Sequence, residues 1–145
     1  RRQGLHYTLF RPDELVLVAR PGGRYARTEQ VTPEELCRIP LVLRENGSGT
    51  LEVIAAALAG AGLRLSQLQV AMRLGTTEGI KAYVRHSDAM AIVSVISVVD
   101  ELRSGALRIV DIDNLTLTRD FSFVHAAAEP DSLARQFVDF ARSDF

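Results

Sequence analysis

Two short polar segments carry the residue types that could do chemistry in this chain of 145 residues, Gly47-Ser48-Gly49-Thr50 and Gly75-Thr76-Thr77-Glu78. Hydroxyl side chains beside glycines let a small anion come close to the backbone. Where such a segment opens a helix, unpaired N–H groups and the positive end of the helix dipole favour negative charge. The chemistry on offer is capture of a small anion. Ordinary capping by Ser, Thr and Gly accounts for one such turn without any ligand. The duplication favours the ligand: Gly49-Thr50-Leu51-Glu52 and Gly75-Thr76-Thr77-Glu78 share the pattern Gly-Thr-x-Glu. With each glycine as N-cap, Glu52 and Glu78 fall at the third helical position and can bond back to the cap N–H. Capping therefore explains the two glutamates better than an acid–base pair does.

Each segment lies between a short apolar run and an amphipathic one. Leu41-Val42-Leu43, bounded by Pro40 and Asn46-Gly47, reads as a buried strand. From Thr50 onward Leu51, Ile54, Leu58 and Ala61 recur on one side of a helix, which Gly60 and Gly62 stop. Val70-Ala71-Met72, continuing to Leu74, repeats the strand. Ile80, Tyr83 and Val84 repeat the helix face, with Lys81 and Arg85 on its other sides. Two parallel strands that each end in a polar helix start put both turns on one edge of a sheet. Ligands of open α/β sheets bind outside that carboxyl edge.

The flanking sequence supplies the rest of the scaffold. Leu5, Tyr7 and Leu9 alternate as in an edge strand, and Glu14 to Ala19 is a continuous apolar strand. Thr32-Pro33-Glu34-Glu35-Leu36 predicts a short helix with Thr32 as N-cap, Pro33 at N1 and Glu35 at N3. Ala89 to Val93 reads as a strand. Ser94 is placed to cap a helix through Val95, Val98, Val99 and Leu102 that ends at Ser104-Gly105. Leu107 to Ile112 and Leu117 to Ala126 read as strands about an Asp113-Asn114 turn. Pro130-Asp131-Ser132 opens a last helix with Leu133, Phe137, Phe140 and Ala141 on one face. Phe121, Phe123, Phe137 and Phe140 are expected in the core rather than as a base-stacking platform. Alternating strands and helices give an α/β fold, Rossmann-like, with a mainly parallel sheet. Residues 21–116 read as a complete small α/β unit, whereas strands 14–19 and 117–126 and the last helix read as parts of something else.

Composition narrows the function classes. Hydrophobic residues at 47% and charged residues at 24% fit one ordinary globular domain. A net charge of -1 argues against a nucleic-acid-binding face on this chain. A single cysteine, Cys37, excludes an internal disulfide and slightly favours a reducing compartment. No apolar run approaches the roughly 20 residues of a membrane helix, and no signal-peptide pattern opens the chain. Arg1-Arg2-Gln3-Gly4 does not read as a natural start, so a longer parent protein is expected. His6, His86 and His125 lack metal-ligand spacing. Gly47-Ser48-Gly49 is not a nucleophile elbow, Gly47-x-Gly49 is not a dinucleotide fingerprint, and no lysine completes a P-loop. The Arg44-Glu45 pair reads as neighbouring surface charges more readily than as an anion clamp. Neither enzyme activity nor a metal or cofactor is expected.

The motifs in their order also resemble a known family. They are Asp13-Glu14-Leu15-Val16-Leu17-Val18, Leu41-Val42-Leu43-Arg44-Glu45-Asn46-Gly47-Ser48-Gly49-Thr50, Leu74-Gly75-Thr76-Thr77-Glu78-Gly79-Ile80-Lys81 and Ala91-Ile92-Val93-Ser94. Asp100-Glu101-Leu102-Arg103-Ser104-Gly105-Ala106-Leu107 and the strand from Phe121 to His125 complete the set. Together, from about residue 5 to the end, the chain resembles the effector-binding domain of LysR-type transcriptional regulators. One departure is His86-Ser87-Asp88, where such proteins commonly carry Gly-x-Gly before the next strand.

The resemblance implies a fold like a type-2 periplasmic binding protein, with two α/β subdomains joined by two crossing strands. It assigns residues 1–12 to a remnant of the first subdomain, 13–20 and 117–126 to hinge strands and 21–116 to the second subdomain. Residues 127–145 would form the C-terminal helix packing on the first. A small, anionic inducer would bind in the inter-subdomain cleft. By position, the second subdomain's contribution would be Ser48, Gly49, Thr50, Gly75, Thr76 and Thr77, with Arg44 and Ser94 at strand ends. A homo-oligomer in the cytoplasm is implied, without membrane contact, that touches DNA only through a winged helix-turn-helix preceding residue 1. The alternative is a solute-binding component of a transport system with the same fold. A helix-turn-helix or a signal peptide upstream would separate the two.

Overall fold

The structure, a computed structural model, describes residues 4–126 and 131–143. The chain divides into two compact units, one of residues 14–118 and one built from the residues up to 13 and from 119 onward. The strands are β1 (His6–Ala19), β2 (Gln30–Val31), β3 (Leu41–Arg44), β4 (Val70–Leu74), β5 (Met90–Ser94), β6 (Arg108–Ile112) and β7 (Leu117–His125). The α-helices are α1 (Pro33–Leu36), α2 (Gly49–Gly60), α3 (Thr77–Arg85), α4 (Val99–Ser104) and α5 (Ser132–Ser143). Single 3-10 turns cover Leu65–Gln67 and Val95–Val98. The two predicted strands before residue 20 are one 14-residue strand.

In the unit of residues 14–118, the sheet runs β2-β6-β1-β5-β3-β4. β3 pairs in parallel with β4 and with β5, and β2 with β6, while β1 is antiparallel to β5 and β6. The sheet is thus mixed, with Leu15 opposite Ser94 and Val18 opposite Ala91. Strand residues alternate between two apolar layers. Leu15, Leu17, Leu41, Leu43, Met90 and Ile92 face one layer with Leu51, Ile54 and Leu58 of α2. Val18, Val42, Ala91 and Val93 face the other with Ile80 and Val84 of α3 and Val98. Burial on both faces explains why these strands are unbroken apolar runs rather than alternating ones.

Capping sets the helix starts. α1 has the predicted box: Thr32 Oγ1 accepts from Glu35 N at 3.1 Å and Glu35 Oε2 from Thr32 N at 2.8 Å. α4 ends on Gly105, whose φ of 74° lies in the left-handed region that favours glycine. Asp88, in the stretch that departs from Gly-x-Gly, has a structural role. Its Oδ1 accepts from Arg20 Nη2 at 2.7 Å and from Arg24 N at 3.1 Å.

The other unit pairs β7 with β1. The Asp13 carboxylate is buried and bonded by Arg119 Nε at 2.8 Å. Phe123 meets Phe10 at 5.0 Å and Phe137 edge-on at 6.0 Å. The expectation of a buried aromatic set fails on α5, where Phe137 is 61% and Phe140 60% exposed. Periodicity reveals an apolar stripe on a helix; it does not guarantee that the same chain provides the surface to cover it. His6 and His125, far apart in sequence, stack with ring centroids 5.5 Å apart. The expected opening of the last helix at residue 130 lies outside the described residues, but Asp131 Oδ1 caps it through Ala134 N at 2.8 Å. No helix among the described residues is long and apolar enough to cross a membrane.

Candidate functional site

Three parallel strands bring the predicted residues to one edge. Arg44, Leu74 and Ser94 are the last residues of β3, β4 and β5, and Arg44 lies opposite Leu74 in the register. β3 occupies the centre of this trio, so the turns that follow it and β4 are neighbours. β6 runs in the same direction as β5 and ends on this edge at Ile112. Leu15 of the antiparallel β1, opposite Ser94, lies here too. Both chain ends of the unit of residues 14–118 are therefore near the carboxyl edge of its sheet.

The first turn is built by Gly47 at φ 86°, which swings the chain from β3 into α2. Ser48, not Gly49, is the N-cap: its Oγ accepts from Leu51 N at 3.2 Å. In the second turn the cap is Thr76, whose Oγ1 accepts from Gly79 N at 3.1 Å. This corrects the expected glycine caps at Gly49 and Gly75. A side-chain oxygen next to the glycine takes the capping role because it satisfies an N–H that glycine cannot. The two turns are consequently offset in register. Glu52 stands one residue beyond the third helical position and Glu78 one before it, so neither closes a capping box.

The offset separates the hydroxyls. Ser48 and Thr50 are buried, at 8% exposure each, and Thr50 lies inside the first turn of α2. Thr76 is exposed and Thr77 half-buried. A hydroxyl that accepts from a backbone N–H keeps its own proton to donate, so capping leaves Ser48 and Thr76 a donor for an anion. Gly49 and Gly75 are open: a Cβ placed at either would touch nothing. Ser94 starts the 3-10 turn without a side-chain cap bond, so the capping role expected for its hydroxyl is not found. Its carbonyl accepts from Ser97 Oγ at 2.7 Å.

Arg44 is engaged by its neighbour. Its Nε and Nη2 bond the Glu45 carboxylate at 2.8 and 2.9 Å. That hydrogen bonding, helped by a backbone N–H, pulls the Glu45 carboxyl down to about 2. An anion would have to compete for this guanidinium. Two residues at this edge escaped the sequence reading. Arg73 Nη1 donates to the Arg44 carbonyl at 3.1 Å and ties edge strand β4 to the end of β3. Lys81, expected on an outer side of its helix, is buried at 7% exposure. Its Nζ lies 2.8 Å from Glu78 Oε1, 2.9 Å from Glu101 Oε1 and 3.0 Å from the Ser97 carbonyl. Burial works most strongly against its charge, yet the two carboxylates together hold its pKa above the usual lysine value. No periodic signal marks either residue: Arg73 lies in strand β4, and the charge of Lys81 on an amphipathic helix reads as solvent-facing.

The edge thus presents two helix N-termini with hydroxyl caps, open glycines and a neutralised arginine. Such an arrangement can bind an anion through N–H and O–H donors. Among the described residues no group of three or more His, Cys, Asp or Glu could hold a metal ion.

Comparison with known proteins agrees with this architecture. The chain is 36% identical over 129 residues to the uncharacterized HTH-type transcriptional regulator YeiE of Escherichia coli K12, covering 88% of this chain and 43% of that protein. It is 36% identical over 133 residues to the phosphonates import ATP-binding protein PhnC of Anaeromyxobacter dehalogenans, covering 91% of this chain and 26% of that protein. The chain therefore spans less than half the length of these curated relatives. Among solved structures, the regulatory domain of CcmR from Synechocystis PCC6803 in complex with 2-PG superposes with a TM-score of 0.81 at 23% identity. The match covers 97% of this chain and 66% of that one. A phosphate ABC transporter substrate-binding protein from Clostridium perfringens, with bound phosphate, gives 0.75 at 18% identity, over 94% of this chain and 65% of that one. These two likenesses establish a fold of the periplasmic-binding-protein type. The family model for the LysR substrate binding domain matches residues 1–145, and the chain belongs to that family.

Proposed function

We propose that this chain senses a small anionic metabolite for a LysR-type regulator, and that the carboxyl edge of the unit of residues 14–118 is one wall of the effector site. The observation that supports the reading is the parallel pairing of β3 with β4 and with β5, by which the strands that lead to the Ser48 and Thr76 caps and the strand that ends at Ser94 finish on one edge of the sheet. Gly49, Gly75 and Thr77 complete the donor surface. Thr50 supports it from within the helix, and Arg44 contributes only after Glu45 releases it. A ligand shifts a conformational equilibrium only by its differential affinity for the two states. In the intact regulator the shift acts on a cytoplasmic, DNA-bound oligomer.

The ligands of the structural relatives, 2-PG and phosphate, lend the anionic reading support by analogy. The solute-binding alternative shares the fold but lacks the family match that favours regulation. Calorimetric titration of the full chain with inorganic phosphate, methylphosphonate and small mono- and dicarboxylates tests the proposal. At least one should bind, and Ser48→Ala with Thr76→Val should weaken it about tenfold or more. Binding of none of these classes, or binding indifferent to both substitutions, would overturn it.

A further inference from the structure

We propose that Lys81 is a positioning residue of the effector edge, locking the Ser94–Ser97 turn to α3 at a fixed distance from the Thr76 cap. The inference rests on the site proposed above and adds a residue that touches no ligand. Lys81 Nζ has three donors, and the structure gives each an acceptor: Glu78 Oε1, Glu101 Oε1 and the Ser97 carbonyl. Ser97 in turn donates from Oγ to the Ser94 carbonyl, at the last residue of β5. The chain of bonds thus runs from the helix that Thr76 opens to the end of the neighbouring strand.

Stability alone does not account for this arrangement. A buried ion pair is often no more stabilising than apolar side chains of the same volume, because both charges lose their water. Here the lysine and Glu101 are almost out of solvent, with side chains 8% and 13% exposed, and Glu101 Oε2 is buried without a hydrogen-bond partner. What the ammonium supplies, and an apolar side chain cannot, is direction. It holds one carbonyl of the 3-10 turn Val95–Val98 at hydrogen-bond distance. That turn lacks a side-chain cap of its own. Val98 packs this turn against Ile80 and Val84 of α3, but apolar contact has no direction, whereas the lysine fixes the position of the Ser97 carbonyl.

The test uses the full chain with Lys81→Met and Glu101→Leu combined, which removes both buried charges and leaves only the exposed Glu78 carboxylate and the Ser97 carbonyl without the ammonium, beside Lys81→Arg. Amide hydrogen exchange at residues 94–98, the melting temperature and affinity for whichever of phosphate, methylphosphonate or carboxylate binds the wild type are compared. In the double variant, exchange at 94–98 should rise about tenfold while the melting temperature stays within about 3 °C. Affinity for the anion should fall about fivefold or more, and Lys81→Arg should recover part of it. Unchanged exchange at 94–98 overturns the proposal. So does faster exchange spread evenly over residues 14–118 with a matching drop in melting temperature, since the lysine would then be only a stability element. If the wild type binds no probe, the effector site itself fails. Loss of affinity with Thr76→Val but not with the double variant sinks the lysine's role alone.

Discussion

Replacing Thr76 by aspartate separates the two roles assigned to the second turn. Thr76 Oγ1 accepts from Gly79 N at 3.1 Å and is the only side-chain cap of α3. Aspartate ranks at least as high as threonine at an N-cap, so Thr76→Asp keeps this bond. Its negative charge at the positive end of the nine-residue helix should add about 0.3–1 kcal/mol. Glu78, nearby in the first turn, offsets part of that gain, although its carboxylate is held by Lys81 at 2.8 Å. The net expectation is a melting temperature equal to or slightly above the wild type. An anion at the same turn meets the opposite situation. A like charge about 4–6 Å away costs from roughly 1 kcal/mol in a water-like dielectric to about 3–4 kcal/mol in a partly excluded one. Affinity should therefore fall from about fivefold to several hundredfold. Thr76→Val supplies the contrast: it loses the cap, costs about 1 kcal/mol and loses the hydroxyl donor together. Thermal unfolding followed by circular dichroism and calorimetric titration with the bound anion give the two readouts. An aspartate variant that binds the anion as well as the wild type would refute the placement of the ligand. A variant destabilised as much as Thr76→Val would refute the account of the cap.

Other consequences follow from the packing and the ion pairs. Leu58 is completely buried on α2, and Leu58→Ala should lower unfolding free energy by about 2–5 kcal/mol in urea titrations; a loss under about 1 kcal/mol would mean that this layer is loosely filled. Arg119→Ala takes a cationic partner from the buried Asp13 carboxylate and should lower stability by roughly 1–3 kcal/mol, with Arg119→Lys recovering part; equal melting curves for all three forms would contradict the pairing. The Glu101 carboxyl lies below its usual pKa, chiefly through its hydrogen bond from Lys81. A depressed carboxyl contributes stability above its unfolded pKa, near 4.5, and loses it as the pH falls through the lower folded value. Melting temperature should therefore decline as the pH drops below about 4.5, and Glu101→Gln should flatten that decline; an acid limb of unchanged steepness would count against the depressed carboxyl.

The order of strands, turns and helices was legible in the chain because each is dictated locally. Thr32-Pro33-Glu34-Glu35 carries its capping box within four residues, and the structure repeats it atom for atom. Gly105 ends α4 where the left-handed backbone favours glycine. The unbroken apolar runs 14–19, 41–43 and 89–93 announced strands buried on both faces, and the motifs in sequence announced the family. The turn residues of the candidate site were visible for the same reason: Gly, Ser and Thr at a strand-to-helix junction are chosen by local backbone geometry.

What tertiary structure alone decided are the pairings between distant residues. The cap in each turn is the hydroxyl neighbour of the expected glycine, because a side-chain oxygen satisfies a helix N–H that glycine cannot. A pattern of four letters cannot encode that offset. Lys81 turned inward because Glu78, Glu101 and the Ser97 carbonyl converge on it, and two of these three lie on another turn of chain. Arg73 and the stacked His6 and His125 likewise depend on which strands are neighbours. Phe137 and Phe140 show the converse limit, since periodicity marks an apolar face but not its partner. Local sequence determines conformation through short-range sterics and hydrogen bonds. Which charges and faces meet is set only when the whole sheet closes and desolvates them.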